Sequence, residues 1–168
     1  MKSCKVVITG VFNTGKSTFI RAASDIPVVS TEKRVTDDLS QVKETTTVAM
    51  DYGQTTVSGR LFHLYGTPGQ PRFDFMWDIL ARDADALLIL VDSTDRSSLT
   101  LARQLLRRLA RRRTPYLVVA TKQDGHRPMP PKEIAQTLGV ASQQVVPCDP
   151  RRKESTRAVL SHLSQLLE

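Results

Sequence analysis

Eight residues near the start of the chain, Gly10-Val11-Phe12-Asn13-Thr14-Gly15-Lys16-Ser17, have the types and spacing to hold a run of phosphates. They fit the pattern G-x-x-x-x-G-K-S. A glycine at each end permits a loop whose backbone N–H groups turn inward toward anionic oxygens. In such a loop Lys16 reaches the β- and γ-phosphates and the Ser17 hydroxyl ligates Mg²⁺. The apolar run Cys4–Thr9 precedes the loop and a helix-compatible segment, Ser17 to Ser24, follows it. That strand–loop–helix context adds the positive end of a helix to the site. Asn13, Thr14, Gly15, Lys16, Ser17 and Thr18 are therefore the expected phosphate-side contacts.

Three later motifs carry matching chemistry. Thr45-Thr46-Thr47 closes a long polar stretch. A threonine there can ligate Mg²⁺ through its hydroxyl and sense a terminal phosphate through its N–H. Gly66-Thr67-Pro68-Gly69-Gln70 follows a strand-like run. Gly69 lets a backbone N–H approach phosphate, and Gln70 can orient an attacking water. Thr121-Lys122-Gln123-Asp124 follows another. The Asp124 carboxylate can accept two N–H bonds from a guanine edge while the Lys122 stem lies along the base. Singly, these motifs read as a β-branched strand start, a Pro-Gly turn and a cap. Their common order and spacing point to one nucleotide site.

The elements that must position these groups alternate through the whole length. Strands are expected at Cys4–Thr9, Thr45–Tyr52, Val57–Tyr65, Ala86–Val91, Tyr116–Ala120 and Val145–Cys148. Helices are expected at Lys16–Ser24, around Arg96–Arg113, from Pro130-Pro131 to before Gly139, and at Arg152–Leu167. Gly69 to Ala81 reads as a loop entering a helix. Thr31 to Glu44, polar and without a period, reads as a long functional loop. Gly53-Gln54-Thr55-Thr56 reads as the turn of a β-hairpin. Alternation of this kind predicts an α/β fold, six-stranded and mostly parallel, with one antiparallel edge strand from the hairpin. Ligands of such sheets sit at the carboxyl ends of the strands, where all four motifs fall. The 168 residues suit a single domain, 1–168.

Composition bounds the class. With 40% hydrophobic and 24% charged residues the chain reads as soluble and globular. Two cysteines, Cys4 and Cys148, form no disulfide framework, and no leader, lipidation motif or membrane span is legible, so a reduced cytoplasmic setting without a membrane anchor is expected. The net charge of +7 equals the seven arginines between Arg96 and Arg113, a segment without an acid. There a helical wheel sets Leu99, Leu101, Ala102, Leu105, Leu106 and Leu109 apart from most arginines. The Arg103–Arg112 face is either a solvated helix surface or a dock for an acidic partner or anionic membrane. Nucleic acid is not expected, since no aromatic residues interleave with the arginines.

Through these motifs the chain resembles the small Ras-like GTPases, over essentially its full length. Gly10–Ser17 matches the phosphate loop, Thr47 the threonine of the first switch, Gly66–Gln70 the D-x-x-G-Q second switch, and Thr121–Asp124 the N-K-x-D motif. Cys148-Asp149-Pro150-Arg151 falls where the S-A-K guanine loop belongs. The wording Leu64-Tyr65-Gly66-Thr67-Pro68-Gly69-Gln70-Pro71-Arg72-Phe73 is most similar to bacterial and archaeal MglA-like GTPases. That resemblance implies a P-loop, Ras-like three-layer fold and GTP/GDP with Mg²⁺ as ligands. It implies nucleotide contacts from Thr121, Lys122, Asp124, Cys148, Asp149 and Arg151, and Roadblock/LC7-type regulators as partners. The chain also departs from the pattern. Gly66 stands where the family has the aspartate that holds Mg²⁺ through water, and Asp51 on the neighbouring strand is a candidate replacement. Thr121 replaces an asparagine but keeps a hydroxyl. Pro150 replaces the alanine whose N–H donates to guanine O6, a donor proline lacks, which leaves the Arg151 N–H as a substitute.

The resulting expectation is a GTP/GDP switch in signalling or polarity with slow hydrolysis. Lys16 neutralises the phosphates, Gln70 orients water and Thr47 reports the γ-phosphate. An arginine finger comes either from Arg34 or from a partner. The rival reading is a nucleotide-binding scaffold with little hydrolysis, for which Gly66 speaks and against which Gln70 speaks. A P-loop kinase or ATPase is disfavoured by Lys122 with Asp124 after a buried strand.

Overall fold

The chain runs β1 (Lys2–Thr9), α1 (Lys16–Ala23), β2 (Val29–Asp37), β3 (Glu44–Val57), β4 (Arg60–Gly66), β5 (Ala86–Asp92), α2 (Ser98–Leu109), β6 (Tyr116–Thr121), α3 (Pro131–Leu138), β7 (Val145–Pro147) and α4 (Lys153–Leu166). This computed structural model describes residues 1–11, 13–37, 44–67, 82–109 and 112–168, with the backbone alone at 30–37, 44–49 and 109. The segment Gly69–Ala81, with Gly69 and Gln70, lies outside the described residues.

Period-two alternation in the central strands creates two cores. Val6, Ile8, Ala86, Leu88 and Leu90 face one side of the sheet, where Phe19, Ile20 and Ala23 of α1 and Val159, Leu160 and Leu163 of α4 cover them. Val7, Leu87, Ile89 and Val91 face the other, under Leu99, Ala102 and Leu105 of α2 and Ile134 and Ala135 of α3. Successive side chains of a strand point to opposite faces, so a run apolar at every position is buried on both. The outcome is the expected α/β sandwich of helices, sheet and helices. Leu101 and Leu106 pack partly buried at the margin. Leu166, the last residue of α4, is 41% exposed.

The sheet order is β2-β3-β4-β1-β5-β6-β7. Five strands from β4 to β7 are parallel, and β3 runs antiparallel to β4. The six expected strands are all in place, with β3 as the single reversed one. The sheet then continues one strand further. β2 pairs antiparallel with β3 from Val29↔Tyr52 to Asp37↔Glu44. Residues 31–37 are thus strand, where the sequence reads as loop, and β3 is not the edge. The run Thr31-Glu32-Lys33-Arg34 has no apolar alternation, and charge along an edge strand discourages pairing with another chain. Arg34, expected in a loop, lies in β2 opposite Thr47.

The hairpin turn is also displaced from its expected place. β3 runs through Gly53–Thr56, and the turn is Ser58-Gly59, with φ of 53° and 72°. Two left-handed residues make the mirror-image turn whose twist matches flanking strands. Gly53 serves a different purpose: a Cβ there would lie 2.8 Å from Ser24 Oγ and 3.0 Å from Ile20 Cγ2, so α1 crosses β3 at backbone contact.

Candidate nucleotide site

The phosphate loop leaves β1 at Gly10, whose φ of 148° and position against Leu90 exclude a side chain: a Cβ would sit 2.5 Å from the Leu90 carbonyl oxygen. The loop then turns into α1 at Gly15, with φ 103°. Lys16 is buried at 9% exposure, and its Nζ donates to the carbonyls of Gly10 at 2.7 Å and Val11 at 2.8 Å. Burial lowers its pKa to about 8, because the ammonium has lost water and gained no anion. A buried cation held against a glycine-bounded loop at the start of a helix is a receptor for phosphate oxygens.

Ser17 follows at the helix start. Its Oγ donates to Asp51 Oδ2 at 2.6 Å. Asp51 is paired across the ladder with Gly66, the position that lacks a carboxylate. A Cβ at Gly66 would meet Ile20 Cδ1 at 2.8 Å and Asp51 Cβ at 3.7 Å. A side chain at residue 66 would have to displace the terminal methyl of Ile20, and the neighbouring strand supplies the acid instead. A hydroxyl and a carboxylate beside a phosphate loop form an oxygen donor set that fits Mg²⁺, which prefers hard oxygen ligands shared with phosphates. Thr47, the other expected ligand, lies in β3, and its side chain is outside the described residues.

Across the loop stands the base-side constellation. Thr121 is fully buried, and its Oγ1 lies 2.9 Å from both the Thr14 and the Val91 carbonyls, donating its single proton to one of them at a time. It thereby ties the end of β6 to the phosphate loop. Lys122, at φ 60°, makes a second tie: Nζ donates to the Asn13 carbonyl at 2.9 Å and to Asp92 Oδ2 at 2.8 Å. Burial alone would raise the Asp92 pKa. Hydrogen bonds from Lys122 and Thr94 outweigh it and hold the carboxyl below its ordinary value. Asp92 escaped the sequence reading, although an acid closing a buried apolar strand was the available signal.

Asp124 and the loop after β7 meet through Arg151. Its guanidinium reaches Asp124 Oδ2 at 2.7 Å and Asp149 Oδ1 at 2.9 Å. The Arg151 hydrogen bond, more than its charge, depresses the Asp149 carboxyl, and the guanidinium pKa is raised in return. The Arg151 N–H, expected to stand in for the donor missing at Pro150, is instead directed to Asp149 Oδ1 at 3.1 Å. The Asp149 N–H goes to Ser155 Oγ at 2.8 Å. The Cys148 side chain packs in the core at 4% exposure and faces away from the site. Burial pushes both cysteine thiols up to about 11, which fits unreactive core positions.

One cavity of about 460 Å³ joins the two halves. Asn13, Thr14, Gly15 and Thr18 line it on the loop side, and Lys122, Asp124, Asp149, Pro150 and Arg151 on the base side. Thr94, Gly125 and His126 complete the wall. Lys16, Ser17 and Asp51 stand at the loop end.

The chain is 26% identical over 121 residues to uncharacterized protein MJ1339 of Methanocaldococcus jannaschii, covering 71% of this chain and 70% of that protein. It is 28% identical over 142 residues to ADP-ribosylation factor-like protein 5A of Rattus norvegicus, covering 82% and 72%. In structure it is similar to the G domain of the T. maritima FeoB iron transporter, with a TM-score of 0.69, 18% identity and 99% of each chain covered. The fold is that of a small GTPase-like P-loop domain. A family model described as conserved hypothetical ATP binding protein matches residues 8–168, and the chain belongs to that family.

Proposed function

We propose that this chain is a guanine-nucleotide switch, a single G domain over residues 1–168 that binds GTP and GDP with Mg²⁺ and hydrolyses GTP slowly. The observation that carries this reading is the single cavity in which the phosphate loop faces Asp124 and Lys122. The choice of base follows from donor and acceptor patterns. A carboxylate accepts only. Guanine presents two adjacent N–H donors to it, and adenine presents one donor beside an acceptor. Asp124 therefore favours guanine, although the family description names ATP. On binding, Arg151 is released from Asp124 by the competing base edge.

At the phosphate end Lys16 and the loop amides neutralise the β- and γ-phosphates. Ser17, Asp51 and Thr47 hold Mg²⁺, which supplies further charge neutralisation when bound. Gln70 orients the attacking water, and positioning with electrostatics supplies the rate. The wording of Leu64–Phe73 supports placement in the MglA-like branch. That placement carries with it a cytoplasmic role in bacterial or archaeal signalling or polarity and Roadblock/LC7-type regulators. No helix among the described residues is long and apolar enough to cross a membrane. Gly66 favours a second reading, a scaffold that binds nucleotide with little hydrolysis.

The test is to identify the nucleotide released when the purified protein is denatured, and to titrate the emptied protein with GTP and ATP. Guanine nucleotide in the first assay and a GTP preference in the second are expected. Adenine nucleotide, or equal affinities, overturns the reading. Single-turnover hydrolysis with and without Mg²⁺ separates switch from scaffold.

A further inference from the structure

At the other end of the sheet a second cavity, of about 650 Å³, opens between the last turn of α2, the start of β6 and the segment after α3. Arg103, Arg107 and Arg113 line it together with Leu106, Tyr116 and Leu138. No carboxylate lines it. Among the described residues no acid pairs with these three arginines, and Arg103 donates only to the Thr137 carbonyl, at 3.1 Å. Elsewhere on the same surface an available acid is used: Arg96 meets Glu133 at 2.8 Å. The negative end of α2 accounts for a cation at Arg107. It does not account for Arg103, two turns from that end in sequence terms, or for Arg113, which lies beyond the helix.

Arg113 adds a second observation. Its φ is 55°, in the left-handed region that a side-chain-bearing residue seldom adopts. The sequence keeps an arginine there, in the lining of the cavity. Three cations thus share one depression with apolar side chains, and no acid among the described residues lines it.

We propose that this groove docks an acidic peptide segment of a partner protein, with two or three carboxylates set against Arg103, Arg107 and Arg113 and one Leu or Phe side chain against Leu106, Tyr116 and Leu138. Charge complementarity selects acid, and the apolar lining selects a segment that can also bury a side chain. The apolar residues set among the arginines favour a peptide with one large side chain over a bare anionic surface. The inference is independent of the nucleotide reading, because the groove lies at the amino ends of β6 and β7 and the nucleotide cavity at their carboxyl ends.

The experiment uses the full chain and an array of acidic dodecapeptides, each with one central Leu or Phe, with lysine-for-acid counterparts as controls. Binding is read by fluorescence anisotropy at two salt concentrations. Acidic peptides are expected to bind, more weakly at the higher salt. Arg107→Glu with Arg113→Glu should weaken them by roughly tenfold or more, while GTP affinity and Tm stay at their parent values. Arg107→Lys with Arg113→Lys keeps the charge and should retain most binding, which guards against a loss caused by misfolding. Replacing the central Leu or Phe by Ser should cost a further severalfold. Absence of peptide binding overturns the proposal. So does equal binding by the charge-reversed variant, or loss of binding to phosphatidylserine vesicles alone, which would assign the face to a membrane.

Discussion

The two ends of the sheet treat charge in opposite ways. At the carboxyl end every cation of the nucleotide site has an internal partner: Lys16 two carbonyls, Lys122 a carbonyl and Asp92, Arg151 two carboxylates. At the amino end three arginines share a groove with no acid. The first end is prepared for a ligand by stand-in bonds that the ligand replaces, so its geometry is set before binding. The second keeps its charge uncompensated, which serves attraction more than alignment. A protein that must read one small molecule accurately and meet a larger partner would divide its charges in this way.

The comparison breaks most readily at Lys16. Lys16→Ala should weaken nucleotide binding by about 3 kcal/mol, roughly two orders of magnitude, since it removes the charged donor to the phosphates. Peptide binding at the groove should be unchanged. Isothermal titration of both ligands checks this, and a joint loss would show that the two ends are not independent.

pH gives the next largest effect. Free Lys16 loses its proton around pH 8, and phosphate binding requires the ammonium. Affinity should therefore be level below pH 8 and fall by up to about tenfold per pH unit above it, because binding then takes up a proton. Lys16→Arg stays charged and should flatten the profile. A wild-type profile level to pH 10 would contradict the assignment of Lys16 to the phosphates.

Asp51→Asn should come third. It keeps the shape beside Ser17 but removes the carboxylate, and it should shift the Mg²⁺ concentration needed for tight nucleotide binding upward by about tenfold. The same substitution should leave Mg²⁺-free binding nearly unchanged. Gly66→Asp must displace the terminal methyl of Ile20 and sets a second carboxylate beside Asp51, so a small loss of Tm is expected with Mg²⁺ bound more tightly; thermal melts and Mg²⁺ titration check both.

The smallest effect belongs to the groove. Arg113→Gly relieves a left-handed side-chain residue and should stabilise the fold by up to about 1 kcal/mol, or roughly 2–4 °C in Tm, while weakening acidic-peptide binding. Gain in Tm with loss of binding would mark a residue kept for its charge at the expense of backbone ease. Loss of Tm would show that Arg113 has a structural role.

Much of this was legible in the residues. Gly10–Ser17 and Thr121–Asp124 announce themselves because each spacing serves one chemistry, and the buried strands do so because they are apolar at every position. What was not legible depended on neighbours. Gly53 and Ser58-Gly59 are both turn-like in sequence, and only the crossing of α1 decides which is a turn. β2 was not legible because residues 31–37 are mostly polar and charged, and its place in the sheet comes from backbone pairing with β3. Pro150 raised the question of a missing donor, but the role of the Arg151 side chain depends on Asp124 and Asp149 lying close together. Gln70, Gly69 and the side chain of Thr47 lie outside the described residues, so their expected roles rest on the sequence motifs.

Thr121 and Lys122 fasten the base-side loop directly to the carbonyls of Thr14 and Asn13. The distance between the groups that grip phosphate and the groups that face the base is therefore fixed within the protein, before any ligand arrives. A molecule long enough to reach both ends makes its second contact as an intramolecular event, at an effective concentration on the order of millimolar or above. A nucleoside or a pyrophosphate reaches one end and forfeits that gain. The brace thus acts as a gauge of ligand length, and separates whole nucleotides from their fragments without a contact devoted to the task.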